Sequence, residues 1–202
     1  MWQDLRTFFN AKAPFWDAIQ DVPREKLAKL LIQLPIASGG TVLDVGSGTG
    51  VLVPFLRELF APRLIVELDI AEAMLAEARK KFGDWGIRYI LGDAKDVIFD
   101  ETFDAILCYS SFPHFADKEG TVRHLVRFLN DRGVFAILHT SGRAQIHAIH
   151  AQDAITRDHF LPEGHEVAQM LANAGLRVLV VRDAEEEYLV AGVREGARGE
   201  DK

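Results

Sequence analysis

The residues of this chain best placed to do chemistry are one glycine-rich loop, three aspartates around it and a set of unevenly spread histidines. The loop, Gly46-Ser47-Gly48-Thr49-Gly50, follows the short apolar run Thr41–Val45 directly. A strand that breaks on glycines and then opens a helix lets the chain turn tightly and lets a ligand approach its backbone. Gly46 permits the turn, and Gly48 removes a side chain that would intervene. N–H groups at the start of the next helix favour an anionic group on the ligand. Asp69 closes the next apolar run, Leu64–Asp69, about 20 residues past the glycines, where a carboxylate can accept both hydroxyls of a ribose. Its plainer role is to cap the helix that follows. Asp93, in Gly92-Asp93-Ala94, is placed to bond an adenine amino group or only to shape a surface turn.

A second group lies further along. Tyr109-Ser110-Ser111-Phe112-Pro113-His114-Phe115 sets one imidazole among aromatic walls, a composition suited to a small-molecule site. His114 is the leading expectation for a general base or an orienting group; fixing the loop by a backbone hydrogen bond is its alternative. His139 ends a later apolar run, and His147 and His150 share a face if 144–154 is helical. Neutral imidazoles from His114, His139 and His150 converging there can hold a divalent transition metal such as zinc or iron. Lining a pocket or capping helices is the commoner use of clustered histidines. Arg143 serves either an acidic acceptor or neighbouring carboxylates. Cys108 reads as packing inside a strand, and 185–187 as a solvated acidic turn.

These residues need a frame. After Ser38-Gly39-Gly40, apolar runs alternate with helical stripes: strands at 41–45, 64–68, 87–91, 103–108 and 134–139, with helices at 51–60, 71–82 and around 122–129. The turn Asn130-Asp131-Arg132-Gly133 precedes the fifth strand. A last helix, through Val167, Met170, Leu171 and Ala174, ends at Gly175, and strands at 176–182 and 187–193 follow. Strand–helix alternation predicts an α/β, Rossmann-like fold: a seven-stranded, mostly parallel sheet with helices on both faces. The link 183–186 is too short for a crossover helix, so the last strand runs antiparallel. Residues 1–37 read as an N-terminal helical cap or lid, with Leu27, Leu30, Leu31 and Leu34 on one stripe. Residues 38–194 form the main domain and 195–202 a flexible tail.

With 202 residues the chain suits one such domain, and its composition is that of an ordinary soluble protein. A net charge of −7 without a basic run argues against nucleic acid as a partner. One cysteine excludes an internal disulfide and fits a reducing compartment. No leader and no apolar run long enough to span a bilayer is read, so the expected location is the cytoplasm. Oligomeric state is left open.

Taken in order, Leu43 to Gly50, Asp69 to Leu75, Gly92 to Ala94 and Phe103 to Cys108 resemble the motifs of class I S-adenosylmethionine-dependent methyltransferases. The resemblance is to the small-molecule group that includes the ubiquinone/menaquinone-biosynthesis enzymes. It extends from Phe8 to Val193, and Phe8 to Asp17 is similar to that group's N-terminal helix. It implies that Asp44, Gly46, Ser47 and Gly48 hold the methionine end of S-adenosylmethionine. Asp69 then clamps the ribose, Ile70 and Met74 pack on the adenine, Asp93 and Ala94 meet its edge, and Tyr109 sits beside the sulfonium. The acceptor falls among Trp16, Tyr109, Phe112, His114, His139 and His150, with Phe8, Phe9, Phe15 and Trp16 as a lid. A dinucleotide-binding dehydrogenase is the rival, but its third glycine falls where this chain has Val51. A non-catalytic cofactor-binding protein and a metal-dependent enzyme of another reaction are the remaining alternatives.

Overall fold

The structure, a computed structural model, describes residues 2–20 and 22–196, so most of the expected tail lies outside the described residues. Its centre is a seven-stranded sheet of order β3-β2-β1-β4-β5-β7-β6. The strands are β1 (Thr41–Val45), β2 (Leu64–Asp69), β3 (Ile87–Leu91), β4 (Phe103–Tyr109), β5 (Leu129–His139), β6 (Leu176–Asp183) and β7 (Tyr188–Arg194). β7 runs antiparallel to both β5 and β6, while β1 to β5 pair in parallel. The chain winds outward through β2 and β3 and then resumes on the other side of β1. That reversal between β1 and β4 opens a crevice at the carboxyl ends of the strands.

Period-two alternation assigns each strand residue to one face. On one face Leu43, Val45, Val66, Leu68, Ile106 and Cys108 pack with Val122 and Leu125 of α6 (Lys118–Val126) and Val167 and Leu171 of α8 (Gly164–Asn173). On the other, Val42, Ile65, Ala105 and Leu107 pack with Leu27, Leu30 and Leu31 of α3 (Arg24–Leu31) and with Phe55 and Leu56 of α4 (Val53–Phe60). Asp44, Glu67 and Asp69 belong to this second face, and Asp44 is the register partner of Glu67. A charged pair in mid-sheet breaks the rule that buried strands are apolar, and so marks a place where function overrides packing.

Several boundaries differ from the sequence reading, among them α6, which covers Lys118–Val126 in place of about 122–129. α4 begins at Val53, because the chain holds positive φ at Gly46, Gly48 and Gly50 before it enters the helix, with Pro54 in the first turn. Asn130–Gly133 is a bulge within β5: Leu129 pairs with Phe103 and Val134 with Ala105, so the intervening residues loop out around Arg132 at φ 63°. α7 (Arg143–His150) is shorter than the expected 144–154.

The N-terminal segment, α1 (Trp2–Lys12), a 3-10 turn and α2 (Trp16–Ile19), lies across the crevice. Polar ties hold it to the main domain. Asn10 accepts from the Ala73 N–H at 3.0 Å at the start of α5 (Glu72–Phe82), Arg6 pairs with Glu72 at 2.8 Å, and Asp17 accepts from the Thr49 hydroxyl and from Lys81.

Candidate active site

A cavity of about 1750 Å³ occupies the carboxyl edge of the sheet beneath this segment. That exceeds the ~300–1,000 Å³ of a site for one drug-sized ligand and leaves room for two molecules. Every residue expected at the cofactor borders it: Asp44, Gly46, Ser47, Gly48, Asp69, Ile70, Met74, Asp93, Ala94 and Tyr109. So do His114, His139 and His150. The sequence motifs, scattered over four strand ends, converge on one chamber.

The glycine loop supplies shape more than it supplies amides. Gly46 sits at φ 68°, and a Cβ there would stand 2.5 Å from the Ser111 Cβ, so no side chain fits. Gly48, at φ 58°, would place a Cβ only 3.7 Å from the Trp16 indole nitrogen, so conformation is its first requirement. The loop's own N–H groups are engaged within the protein. Gly46 and Ser47 donate to the Leu68 carbonyl at 2.7 and 3.0 Å, and Gly48 donates to the Asp69 carboxylate at 2.8 Å. These three amides join the β1 and β2 ends to each other instead of facing outward.

Asp69 also accepts from the Ala71 N–H at 2.8 Å, and burial pushes its carboxyl up to about 6 against the pull of these amides. Asp44 is almost wholly enclosed, its Oδ1 has no hydrogen-bond partner, and burial together with Asp69 raises its pKa well above the usual range. Asp93 forms a local turn, accepting from the Lys95 N–H at 3.0 Å. Tyr109 shares a hydrogen bond with Thr140 at 3.1 Å, which fixes its ring at the junction of the two halves.

The other half is built of imidazoles. His114 stands in the 3-10 turn after β4, its ring edge-on to Phe9 at 5.2 Å and 4.8 Å from the His150 ring. Its Nδ1 meets the Nδ1 of His159 at 2.9 Å, and His150 Nδ1 lies 2.7 Å from the His159 carbonyl, which requires it to donate. His139 is buried with Nε2 unpartnered, and burial, with His150 nearby, lowers its pKa to about 3. Burial and then the neighbouring imidazoles hold His114 well below its ordinary value; burial lowers His150 and His159 as well. Lys118 gives its ammonium to the Pro113 and Phe115 carbonyls and so braces the turn.

The histidines meet, but not as expected. Among the described residues no group of three His, Cys, Asp or Glu side chains is arranged to hold a metal ion. The physical reason is visible at His114 and His150, whose Nδ1 atoms are engaged with His159. His147 turns away from the chamber, accepting from the Leu161 N–H at 3.1 Å and so tying down the segment after α7. His159, absent from the sequence expectations, is the missed member; it sits in an irregular stretch with no periodicity to flag it. Arg143 pairs with Asp183 at 2.7 Å and does not border the chamber. Phe8, Phe9 and Trp16 border the chamber, whereas Phe15 is 67% exposed and does not. Phe112 packs in the core behind the turn.

Residues 43–137 match a family model described as a methyltransferase domain. A malonyl-[acyl-carrier protein] O-methyltransferase of Geobacter sulfurreducens is 30% identical over 200 residues, covering 91% of this chain and 74% of that protein. The chain belongs to the class I S-adenosylmethionine-dependent methyltransferases. A ubiquinone/menaquinone biosynthesis C-methyltransferase of Idiomarina loihiensis is 33% identical over 144 residues, 66% of this chain and 57% of that one. Among solved structures, a chain in the complex between the Haloferax volcanii Trm112 methyltransferase activator and a methyltransferase superposes with a TM-score of 0.81 at 22% identity, covering 96% of this chain and 98% of that one. The chain spans about half the length of several curated relatives it matches, 47% to 58%. The seven-stranded, mostly parallel sheet and its antiparallel β7 are those the sequence predicted. No helix among the described residues is long and apolar enough to cross a membrane.

Proposed function

We propose that this methyltransferase moves the methyl group of S-adenosylmethionine to a small-molecule acceptor that must lose a proton as it is methylated. The donor set fits the cofactor. Asp69 offers a carboxylate held by two backbone amides, Asp44 offers an unpartnered oxygen to a cationic ligand, and Ile70 and Met74 offer apolar surface to a base. When bound, the cofactor supplies an electrophilic methyl group. Gly46 and Gly48 keep the floor of the site free of side chains, and Asp93 and Ala94 border its far end. Residues 1–37 act as the lid, with Phe9 and Trp16 excluding water from the main domain, 38–194.

The observation that carries the acceptor assignment is the 2.9 Å contact between the Nδ1 atoms of His114 and His159. One of two imidazoles so joined must donate and the other accept. With the proton on His114 Nδ1, its Nε2 is free to take a proton from the acceptor while Nδ1–H passes to His159, nearer the surface. Both imidazoles are held neutral by burial, the state a proton acceptor needs. Tyr109 and His139 line the same space and orient the acceptor. The relatives named above are called a malonyl-[acyl-carrier protein] O-methyltransferase and a ubiquinone/menaquinone biosynthesis C-methyltransferase. An ionised carboxylate needs no base, so the histidine pair favours hydroxyl, ring-carbon or N–H acceptors here.

The test is a screen of small phenols, enols, amines and carboxylic acids with S-adenosylmethionine, read as S-adenosylhomocysteine release. Turnover with proton-losing acceptors that collapses in His114→Ala supports the reading. Turnover confined to carboxylic acids and unaffected by His114→Ala refutes it.

A further inference from the structure

Glu67 is a residue the methyl-transfer reading leaves unused. It lies in mid-strand on β2, 0% exposed, two residues before Asp69 and on the same face. Its register partner on β1 is Asp44, and adjacent strands stand about 5 Å apart. Among the described residues neither Glu67 oxygen has a hydrogen-bond partner, and neither does Asp44 Oδ1, although all three are sealed from water. Asp44, not Glu67, borders the chamber.

Buried polar atoms in a native fold nearly always find a partner, so three orphans on cross-strand neighbours call for one. Two ionised carboxylates have only acceptors to offer each other. A single proton changes that: the protonated group donates to the ionised one, and the pair carries one negative charge instead of two. We propose that Asp44 and Glu67 hold one proton between them in the free protein and release it when the cationic methionine end of the cofactor enters beside Asp44. The O–H bond of the pair breaks, the proton leaves to solvent, and the second carboxylate charge appears opposite the incoming cation. Glu67 is thus a positioning residue that acts through Asp44 and makes the site respond to ligand charge.

The groups around Glu67 fit this assignment. Burial and Asp44 disfavour its charge most strongly, with Asp69 adding to them; the Ser47 hydroxyl and the Lys81 ammonium oppose them, and neither meets its oxygens in a sound hydrogen bond. Lys81 is committed to Asp17 at 2.7 Å, and the Tyr89 hydroxyl on β3 donates to the Gly83 carbonyl at 2.8 Å. The Ser47 hydroxyl, itself without a partner among the described residues, has one proton to give, fewer than the three orphaned oxygens need.

The inference rests on the cofactor reading above, and calorimetry of S-adenosylmethionine binding near neutral pH separates the two. In buffers of differing ionisation enthalpy, the observed heat should vary with a slope of about one proton released, and affinity should rise by up to about tenfold per pH unit. Glu67→Gln, which replaces the proton with an amide donor, should bind with a heat independent of buffer and an affinity flat with pH. The infrared C=O stretch of a protonated carboxyl should be present in the unaltered free protein and vanish on adding cofactor, a readout that requires no variant to fold. Binding with no proton release, or release that persists in Glu67→Gln, overturns the shared proton and leaves the cofactor assignment standing. No binding at all overturns both.

Discussion

Burial perturbs the two halves of the chamber in opposite directions. Around β1 and β2, burial pushes the carboxyls of Asp44, Glu67 and Asp69 up. Beyond β4 and β5, burial pushes the imidazoles of His114, His139, His150 and His159 down. One cause, desolvation of the charged form, produces both. The consequences differ. Carboxyls whose charge burial disfavours gain from a cationic ligand that stabilises it, whereas neutral imidazoles are ready to accept a proton. A site that must take in a sulfonium and discharge a proton from an acceptor needs one of each, side by side.

Breaking the imidazole half should give the largest effect. His114→Ala is expected to slow turnover by about 10²–10⁴-fold, the usual worth of a positioned general base, with cofactor affinity unchanged. Comparison of S-adenosylhomocysteine release with calorimetric affinity checks both parts. Breaking the carboxylate half reverses the pattern: Asp69→Ala should weaken cofactor binding on the order of 100-fold, because it removes a charged acceptor and frees the Gly48 amide it restrains. A weaker effect belongs to the lid. Asp17→Ala severs its ties to Thr49 and Lys81, and cofactor affinity should fall only about fivefold, one hydrogen bond's worth.

The halves also predict opposite pH slopes for folding. His139 has a folded pKa of about 3, below its unfolded value, so the unfolded chain takes the proton first. Its contribution to stability is full above about pH 6.5 and falls with decreasing pH from there toward 3. Asp69, raised to about 6, does the converse: its contribution is full below about pH 4 and is lost as pH rises through 6. Denaturant titrations between pH 4 and 7 should therefore show His139→Phe losing the acid-side decline and Asp69→Asn losing the opposing one. Smallest of all, Arg143→Gln breaks a surface pair with Asp183 and should change stability by no more than about 1 kcal/mol, with turnover unaltered.

The carboxylate half was the legible one. Its residues follow apolar runs at fixed offsets, and the strands beneath them are short, buried and punctuated by glycine, so pattern shows the sheet and the places of Asp69 and Asp93, while the role of Asp44 follows only from the resemblance to the methyltransferases. Two of its details were hidden. The loop amides turn inward to Leu68 and Asp69, because backbone groups that close the β1–β2 edge satisfy each other before any ligand arrives. Glu67 was passed over inside an apolar run, although a glutamate two residues before Asp69 on one strand is a visible signal that both share a face. The imidazole half was legible only in composition. His114, His139 and His150 do gather, but the hydrogen bonds of His114 and His150 depend on His159, which a nonrepeating segment carries back to the chamber. Tertiary closure of that kind leaves no local periodicity.

The measurement that tests the account most directly is the affinity for S-adenosylmethionine, by calorimetry, of the unaltered protein, Asp69→Ala and His114→Ala side by side. The account predicts a large loss in the first variant and none in the second. Equal losses in both, or a loss only in His114→Ala, would contradict the division of the chamber into a carboxylate half that holds the cofactor and an imidazole half that serves the acceptor.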